Sequence, residues 1–599
     1  MRDLEKGHKW GYMNINKKNV LYMVVLSIIL SGLLFSCNRG NKSENKTGSL
    51  TWELKDGILI INGKGPMPNY ERYGGPWCNL DDGFSDIMAI IINDGVTNIG
   101  DNAFVNIETV MYVSIPGSVT NIGENAFKGC SGITSIIIPD GVINIDRSAF
   151  QGCSKLIYVD IPDSIKSIGR GAFYNCTNLV SITIPAGVTT IRDDTFNDCS
   201  SLAGITIPAS VTSIGDRAFE NCASLTSVTI PEGVTFIGQI AFQNCTSLTG
   251  ITIPASVMSM NYSAFRNCFR LTGITVDANN PNYASEGGIL YNKTKTTLIA
   301  YPSATGSVTI PAGVTSISNS AFYNCTWLTS ITIPASVTDI GNGAFADCNR
   351  LASITVATNN PKYASEGGIL YDKTKTTLIT YASTIGSLTI PAGITTIGMQ
   401  ASNGLTNPTS ITIPARVTSI DDWAFIFCKR LTSITVDTGN PNYASQDGVL
   451  YNKAKTKIVH IPQAISGSVT IPEGVTHIYG FSRCTGLTSI TIPEGVTSIG
   501  SSAFRGCTGL TSITLPESVT EIGNFAFSGC TGLTSITIPA SVTTVGFGAF
   551  IDWTNTQTIN VPFANADAIP DGWKKTIAGL EGLQNCEAVI KYWNGTTWE

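Results

Sequence analysis

A fixed spacing of prolines constrains this chain more than any other feature of its sequence. Seven prolines follow one another at intervals of 23 residues: Pro116, Pro139, Pro162, Pro185, Pro208, Pro231 and Pro254. Around each of them the unit reads approximately L-x-x-I-x-I-P-x-x-V-x-x-I-G-x-x-A-F-x-x-C. A unit this short cannot bury its own apolar face, so its copies must stack on one another. The spacing therefore predicts a solenoid over residues 96–555.

Each part of the unit predicts a local conformation. Alternation of Ile and Thr206 before Pro208 is typical of a strand that turns both isoleucines inward. Pro208 has no N–H to donate, so it ends the strand and begins a turn. Residues 211–214 predict a second short strand, and residues 218–222 a short helical or 3-10 turn. The fold class is thus a β-rich solenoid of 23-residue coils.

The period lengthens three times, each time by about 34 residues that are near copies of one another. The inserts lie near residues 277–305, 357–385 and 437–466, and the first reads NPNYASEGGILYNKTKTTLI. Two apolar runs separated by Asn-Lys-Thr-Lys predict a β-hairpin. We expect three hairpins that project from the coils or pack beside them.

Both ends of the chain depart from the repeat. Residues 49–95 and 556–599 predict caps over the open ends of the solenoid. Residues 1–36 have the basic start and short apolar run of a signal peptide that ends before Cys37, the expected lipidation site. Residues 37–48 are polar and predict a flexible tether. The alternative is an uncleaved anchor helix in which Cys37 is incidental.

The repeated phrase LAGITIPASVTSIGDRAFENC and the insert text resemble the BspA-like leucine-rich repeat family over residues 49–599. The resemblance implies a bacterial surface lipoprotein of the Bacteroidota type. It also implies an adhesin that binds host matrix or plasma proteins, or proteins and glycans of neighbouring cells. Its expected place is the outer membrane, facing outward. The alternative is a structural or carbohydrate-binding accessory lipoprotein on the periplasmic face.

Residue types argue against catalysis. Outside the signal peptide only His460 and His477 remain, too few for a nucleophilic or metal site built on histidine. The net charge of −6 gives no basic surface for nucleic acid. We therefore expect no enzyme activity, no cofactor and no metal. Calcium at Asp277, Asn279, Asn280 and Asn282 of the first insert is disfavoured, because Ala357 takes the position of Asp277 in the second insert.

Sixteen cysteines would suggest disulfides in an exported protein, but their spacing does not. They recur once per coil without a CxxC pair. Stacked equivalents stay near the ~4.8 Å spacing of parallel strands, which exceeds the ~3.8 Å that a disulfide prefers between Cβ atoms. We expect buried thiols.

Tyrosines that recur in the inserts are the candidate ligand-binding residues, because tyrosine supplies large amphipathic contact area. The alternative is that they pin each hairpin onto the coils. They are Tyr283, Tyr291, Tyr363, Tyr371, Tyr443 and Tyr451.

Overall fold

The computed structural model describes residues 45–71, 74–79, 87–261, 263–302, 304–383, 386–398, 401, 408–422, 424–425, 428–564 and 588–592. The expected signal peptide, Cys37 and most of the expected tether lie outside the described residues. So does most of the expected C-terminal cap.

The predicted β-solenoid is confirmed, with about 20 coils and almost no helix. The chain divides into two compact units, residues 1–210 and residues 211–599. Among the described residues, one 3-10 helix is present at Pro76–Asn79.

Strands of the first unit are short, because each coil contributes one strand before its proline and a two-residue strand after it. They are β1 (Asn45–Thr47), β2 (Leu50–Lys55), β3 (Ile58–Gly63), β4 (Ala89–Ile92), β5 (Asn98–Ile99), β6 (Tyr112–Ser114), β7 (Asn121–Ile122), β8 (Ser135–Ile137), β9 (Asn144–Ile145), β10 (Tyr158–Asp160), β11 (Ser167–Ile168), β12 (Ser181–Thr183), β13 (Thr190–Ile191) and β14 (Gly204–Thr206).

The first unit begins with an antiparallel β1-β2-β3 sheet, which then continues in parallel through β4 and β6. The strands before the prolines, β8, β10, β12 and β14, form a parallel sheet in which each residue lies opposite the one a full repeat away. The strands after the prolines, β5, β7, β9 and β11, form a second parallel sheet. Buried isoleucines of both sheets face the space between them.

The second unit repeats this pattern and adds three groups of insert strands. Up to the end of the second insert its strands are β15 (Ser213–Ile214), β16 (Ser227–Val228), β17 (Phe236–Ile237), β18 (Ile251–Ile253), β19 (Ser259–Met260), β20 (Ile274–Val276), β21 (Tyr283–Glu286), β22 (Ile289–Asn292), β23 (Thr297–Ala300), β24 (Thr305–Thr309), β25 (Ser316–Ile317), β26 (Trp327–Ile333), β27 (Asp339–Ile340), β28 (Ser353–Val356), β29 (Tyr363–Glu366), β30 (Ile369–Asp372) and β31 (Thr377–Tyr381).

Beyond the second insert the same alternation continues to the end of the described chain. The strands are β32 (Ser387–Thr389), β33 (Thr396–Ile397), β34 (Ser410–Ile413), β35 (Ser419–Ile420), β36 (Ser433–Val436), β37 (Tyr443–Gln446), β38 (Val449–Asn452), β39 (Ile458–His460), β40 (Ser466–Thr470), β41 (His477–Ile478), β42 (Gly486–Thr491), β43 (Ser498–Ile499), β44 (Ser512–Ile513), β45 (Glu521–Ile522), β46 (Ser535–Thr537), β47 (Thr544–Val545), β48 (Thr558–Val561) and β49 (Val589–Tyr592).

The Ala-Phe-x-x-Cys segment forms a turn in which alternate N–H groups point in different directions. The N–H of Phe127 donates to the next coil, at Ala149 O (2.8 Å), and that of Cys130 donates locally, to Phe127 O (3.2 Å). Positive φ at Asn125 (55°) and Gly129 (74°) makes this alternation feasible. Asn and Gly tolerate that conformation better than other residues, which explains their place in the repeat.

Side chains of this turn form ladders inside the first unit. Phe127 stacks between Phe104 (5.2 Å between ring centroids) and Phe150 (5.5 Å), and Trp77 of the first cap stacks on Phe104 at 5.3 Å. Offset stacking of this kind adds to the free energy of burial. The ring of Trp77 therefore covers the first rung of the ladder.

The cysteines form a second ladder. All fourteen in the described part of the chain are buried thiols. The Cys153 thiol donates to Phe127 O one coil earlier (3.3 Å), and the same bond recurs in most coils. At the last coil Trp553 replaces cysteine, and its Nε1 donates to Phe527 O (2.8 Å). The thiols are thus weak donors that satisfy a buried carbonyl, a role the sequence alone did not reveal.

Candidate functional site

Each insert is a three-stranded antiparallel group joined to the coils at one edge. In the first insert β21 pairs with β22 and β22 with β23, and β23 then pairs in parallel with β25 of the next coil. The turn between β21 and β22 uses Gly287 (φ 57°) and Gly288 (φ 80°). Two successive residues with positive φ match the twist of a tight hairpin.

The inserts do not project from the coils, because their middle strands lie between two sections of the core. In the second insert Leu370 packs in the cluster of apolar residues before the insert. Its neighbours Ile369 and Tyr371 pack in the cluster after it. Both faces of β30 are therefore buried. The expectation was a hairpin that projects from the coils or packs beside them, whereas the structure makes its middle strand part of the core.

One row of candidate tyrosines is consequently buried. Tyr291, Tyr371 and Tyr451 are 2%, 3% and 0% exposed. Burial raises the pKa of Tyr291 and of Tyr371 to about 12. Side chains without exposed surface offer nothing to a ligand, so the prediction of ligand binding at these three residues is corrected. They are core residues of the solenoid.

The second row of tyrosines pins each insert to the preceding coil. The hydroxyl oxygens of Tyr283, Tyr363 and Tyr443 accept the backbone N–H of Met260 (2.9 Å), Ile340 (3.1 Å) and Ile420 (3.0 Å). Burial raises the pKa of Tyr283 and Tyr363. The geometry thus matches the structural alternative for this row as well.

A buried asparagine that sequence reasoning missed anchors the start of each insert. Asn280 is fully buried, and its Nδ2 donates to Pro254 O (2.8 Å) and Val257 O (3.0 Å). Its Oδ1 accepts the N–H groups of Asn282 and Tyr283. Asn360 and Asn440 make the same contacts. Identical Asn-Pro in all three inserts is the signal that could have revealed this anchor.

Charged side chains at the hairpin turns differ among the inserts. Lys295 pairs with Glu286 (2.6 Å), and Lys375 pairs with Glu366 (2.5 Å). In the third insert Lys455 instead donates to the neutral Gln446. All of these groups are exposed or nearly so, and exposed ion pairs contribute little to stability.

An open cleft of about 590 Å³ lies beside the first insert. Its floor is the outer face of β16, β18 and β20, including Thr229, Thr252 and Thr275. Its wall is the hairpin turn at residues 285–288. Gly250 and Gly273 have no side chains, so nothing rises from the floor at these two positions. At the corresponding positions of the coils before the second insert stand Ser330 and Ser353. The floor beside the first insert is therefore less obstructed than the corresponding surface beside the second.

Carboxylates mark the rim of this cleft. Glu232, Asp277 and Glu286 all line it, and of these Glu286 is paired with Lys295. That pairing lowers the pKa of Glu286, so the group stays ionised at neutral pH. The cleft thus offers hydroxyl groups on its floor and negative charge at its edges. Aromatic rings are absent from its lining in the described part of the chain.

The described residues include no group of three or more His, Cys, Asp or Glu side chains that could hold a metal ion. Within the same residues, no helix has the length and apolar character needed to span a membrane. His460 is partly buried beside the ring of Phe425 (5.5 Å between centroids), and desolvation lowers its pKa to about 4.

Comparison with solved structures finds leucine-rich repeat proteins. A leucine rich cell surface protein from Faecalibacterium prausnitzii is 31% identical, with 66% of this chain and 96% of that one covered and a TM-score of 0.42. The pneumococcal vaccine antigen PcpA is 17% identical, with coverage of 92% and 98% and a TM-score of 0.35. A leucine-rich repeat protein from Bacteroides ovatus is 21% identical, with coverage of 92% and 100% and a TM-score of 0.24.

Comparison with curated proteins finds no match. A family model described as the BspA type leucine rich repeat region (6 copies) matches residues 83–203, 166–297, 300–380, 378–468 and 463–572. Together these segments cover most of the chain, including all three inserts. The chain therefore belongs to the BspA type leucine rich repeat family.

Proposed function

We propose that the chain is a non-catalytic binding protein of the cell surface, an adhesin for host matrix or plasma proteins or for molecules of neighbouring cells. The cleft beside the first insert is the observation that carries the proposal. Its volume of about 590 Å³ falls in the range of ligand sites, ~300–1,000 Å³. Its floor needs no glycine for folding, since serine takes those positions in other coils.

The rim of the cleft favours a partner with positive charge. Two rim carboxylates, Glu232 and Asp277, have no ion-pair partner among the described residues. A lysine or arginine side chain of a partner protein would meet both charge and hydroxyl groups there. A lining without aromatic rings does not favour sugar stacking, so protein ligands are preferred to glycans.

The binding test uses a variant that fills the cleft. A Cβ at Gly250 would meet nothing within 4 Å, so Gly250→Val fits the fold and occupies the floor. Ser512→Val is the matched control, at the same repeat position in a coil away from the inserts. We expect the purified chain to bind a member of a panel of matrix and plasma proteins, and Gly250→Val to weaken this about tenfold. A wild-type chain that binds no member, and no intact cells, would contradict the proposal.

The proposal includes a lipid anchor at Cys37 and an outer-membrane position facing outward. The similar Faecalibacterium prausnitzii protein is described as a cell surface protein. Labelling of cells with a radioactive fatty acid should mark the wild-type chain and leave Cys37→Ala unlabelled. Protease added to intact cells should then remove the protein; full protection would favour the periplasmic face.

A further inference from the structure

The outer face of the strands before the prolines follows a simple rule in the second unit. In coils that have the inward Leu, the residue after it is almost always threonine, as at Thr226, Thr249, Thr272, Thr329, Thr432, Thr488, Thr511 and Thr534. The next position is serine or glycine. Small and β-branched polar residues suit a half-exposed sheet face.

Among the departures from this pattern in the first unit are five large, exposed apolar residues on the same face. Met111, Ile157 and Val180 take the threonine position, Tyr158 takes a serine position, and Ile137 replaces the outward residue of the Ile-x-Ile strand. We call these five residues the apolar sheet patch. Their side chains are 43–52% exposed.

Backbone bonds bring these side chains together. The Val180 N–H donates to Ile157 O (3.2 Å), so their side chains are neighbours on adjacent strands. Tyr158 follows Ile157 in the chain and lies opposite Ser135, two residues before Ile137. Four of the five residues thus lie in or beside three neighbouring strands, β8, β10 and β12, and Met111 lies two coils from Ile157.

Folding does not require an apolar residue at the threonine position. Thr249 and Thr272 make the same backbone bond as Val180, at 3.2 and 2.9 Å, with a polar side chain at each position. Isolated exposed apolar residues are ordinary on a protein surface, but a contiguous group on one sheet face marks an interaction site. A role outside the fold therefore explains the patch.

Size and charge indicate what covers it. Five half-exposed side chains present a few hundred Å², whereas a stable interface needs about 800 Å² from each partner. A second copy of this chain placed on the patch alone would bury too little. At the proline edge stand the exposed carboxylates of Asp140 and Asp163, and at the opposite edge stands Lys155. The carboxylates of Asp140 and Asp163 therefore favour a partner segment that places a basic residue at the edge of the sheet next to the prolines.

We propose that the apolar sheet patch docks a short segment of a partner protein that presents two or more apolar side chains with a basic residue beside them. The apolar side chains cover Ile157, Tyr158 and Val180, and the basic residue meets Asp140 or Asp163. This inference rests on the proposed function, because it assumes a protein partner, but it names a surface separate from the cleft.

A displayed random peptide library tests the inference without knowledge of the natural partner. The purified full-length chain is immobilised, and the library is selected on it. The triple variant Ile157→Thr, Tyr158→Ser, Val180→Thr restores the repeat at the patch. The control, Phe236→Ser with Met258→Thr, removes apolar residues that are 40% and 54% exposed in strands or turns after the prolines.

We expect enriched peptides with apolar residues next to lysine or arginine. Their affinity should fall at least tenfold on the triple variant and stay within twofold on the control, with unchanged thermal unfolding of both. Equal binding to the triple variant, or a selection without enrichment, would overturn the inference. Gly250→Val distinguishes failure of the patch inference from failure of the proposed function. If host-protein binding is lost on Gly250→Val and kept on the triple variant, the proposed function stands and the patch inference fails.

Discussion

The inner and outer sides of a coil follow opposite rules. Inside, the same residues recur from coil to coil, and each is fixed by contacts with its equivalents, as Phe127 is by Phe104 and Phe150. Outside, the recurring Thr hydroxyls donate to a carbonyl of the preceding coil, as Thr249 does to Thr226 O (3.2 Å), but these bonds are exposed to water and contribute less than contacts in the core. A departure from the repeat inside therefore costs stability, whereas a departure outside costs little.

This difference shows where to look for function in a repeat protein. The chain carries its own reference, because each outer position can be compared with the same position in its other coils. By that comparison Ile137 and Ile157 are unusual for reasons that the fold does not supply. Substitutions that separate inner from outer positions can test the rule.

The largest expected effect is the difference between two single variants, one at an inner position and one at an outer position of neighbouring coils. Phe127→Ala removes a fully buried ring from the ladder and should destabilise its coils by about 3–5 kcal/mol. Ile137→Thr restores the repeat on the outer face and should change stability by less than about 0.5 kcal/mol. Hydrogen exchange of the amides in β8 and β10 measures both. Comparable losses of stability in the two variants would contradict the difference between inner and outer positions.

The anchor of an insert should behave as an inner position. Asn360→Ala leaves the Val337 carbonyl and the N–H groups of Lys362 and Tyr363 without the Asn360 side chain, whereas the Pro334 carbonyl keeps the N–H of Val337 (3.4 Å). Buried groups left unsatisfied cost ~1–3 kcal/mol each, so we expect a loss of at least about 3 kcal/mol.

Limited proteolysis within the second insert measures this loss. The exposed neighbour Asn359 provides the control, since Asn359→Ala should leave the cleavage rate near that of the wild type. An insert of Asn360→Ala that stays as resistant as the wild type would show that the anchor is dispensable.

The third insert should lose stability on mild acidification because of His460. Its pKa is about 4 in the folded chain and ~6.5 when unfolded. Between these values the unfolded chain binds a proton that the folded chain does not, so stability falls as pH falls from 6.5 to 4. The loss is at most about 3 kcal/mol, and smaller to the extent that water reaches the ring.

A substitution drawn from the chain itself separates this effect from general acid unfolding. Thr380 occupies the corresponding place in the second insert, opposite Leu370 as His460 is opposite Leu450. His460→Thr should flatten the pH dependence of urea unfolding for the third insert over that range. An unchanged slope would assign the pH dependence to other groups.

The sequence predicted the coils well because their pattern is set by contacts among equivalent residues. Ile205 and Ile207 face inward in one coil for the same reason as in the next, so one unit was enough to infer the whole stack. At the inserts the alternation of apolar and polar residues no longer indicated which side chains are buried. An alternating strand normally has one buried face, but β22, β30 and β38 separate two core sections, so Ile289, Leu290 and Tyr291 are all buried.

The role of the candidate site residues was harder to predict, because it depends on whether each side chain is buried or exposed. Recurrence of Tyr291 in three inserts fits ligand binding and core packing equally well from sequence. The patch at Ile157 was visible in the sequence only as a departure from threonine. Its meaning required knowledge of which face is exposed, and that depends on the register of β8 and β10.

The smallest expected effect comes from removing the hydroxyl oxygen of one tyrosine in each of the two rows. Tyr443→Phe removes the acceptor of the Ile420 N–H and should cost about 1–2 kcal/mol, because that group loses its partner. The Tyr451 hydroxyl is buried without a hydrogen-bond partner in the described part of the chain. Removal of a buried, unbonded hydroxyl costs nothing, so Tyr451→Phe should be neutral or slightly stabilising. Urea unfolding followed by hydrogen exchange in β38 compares the two variants. A loss at Tyr451→Phe equal to that at Tyr443→Phe would mean that the hydroxyl has a partner, and that this tyrosine does more than fill the core.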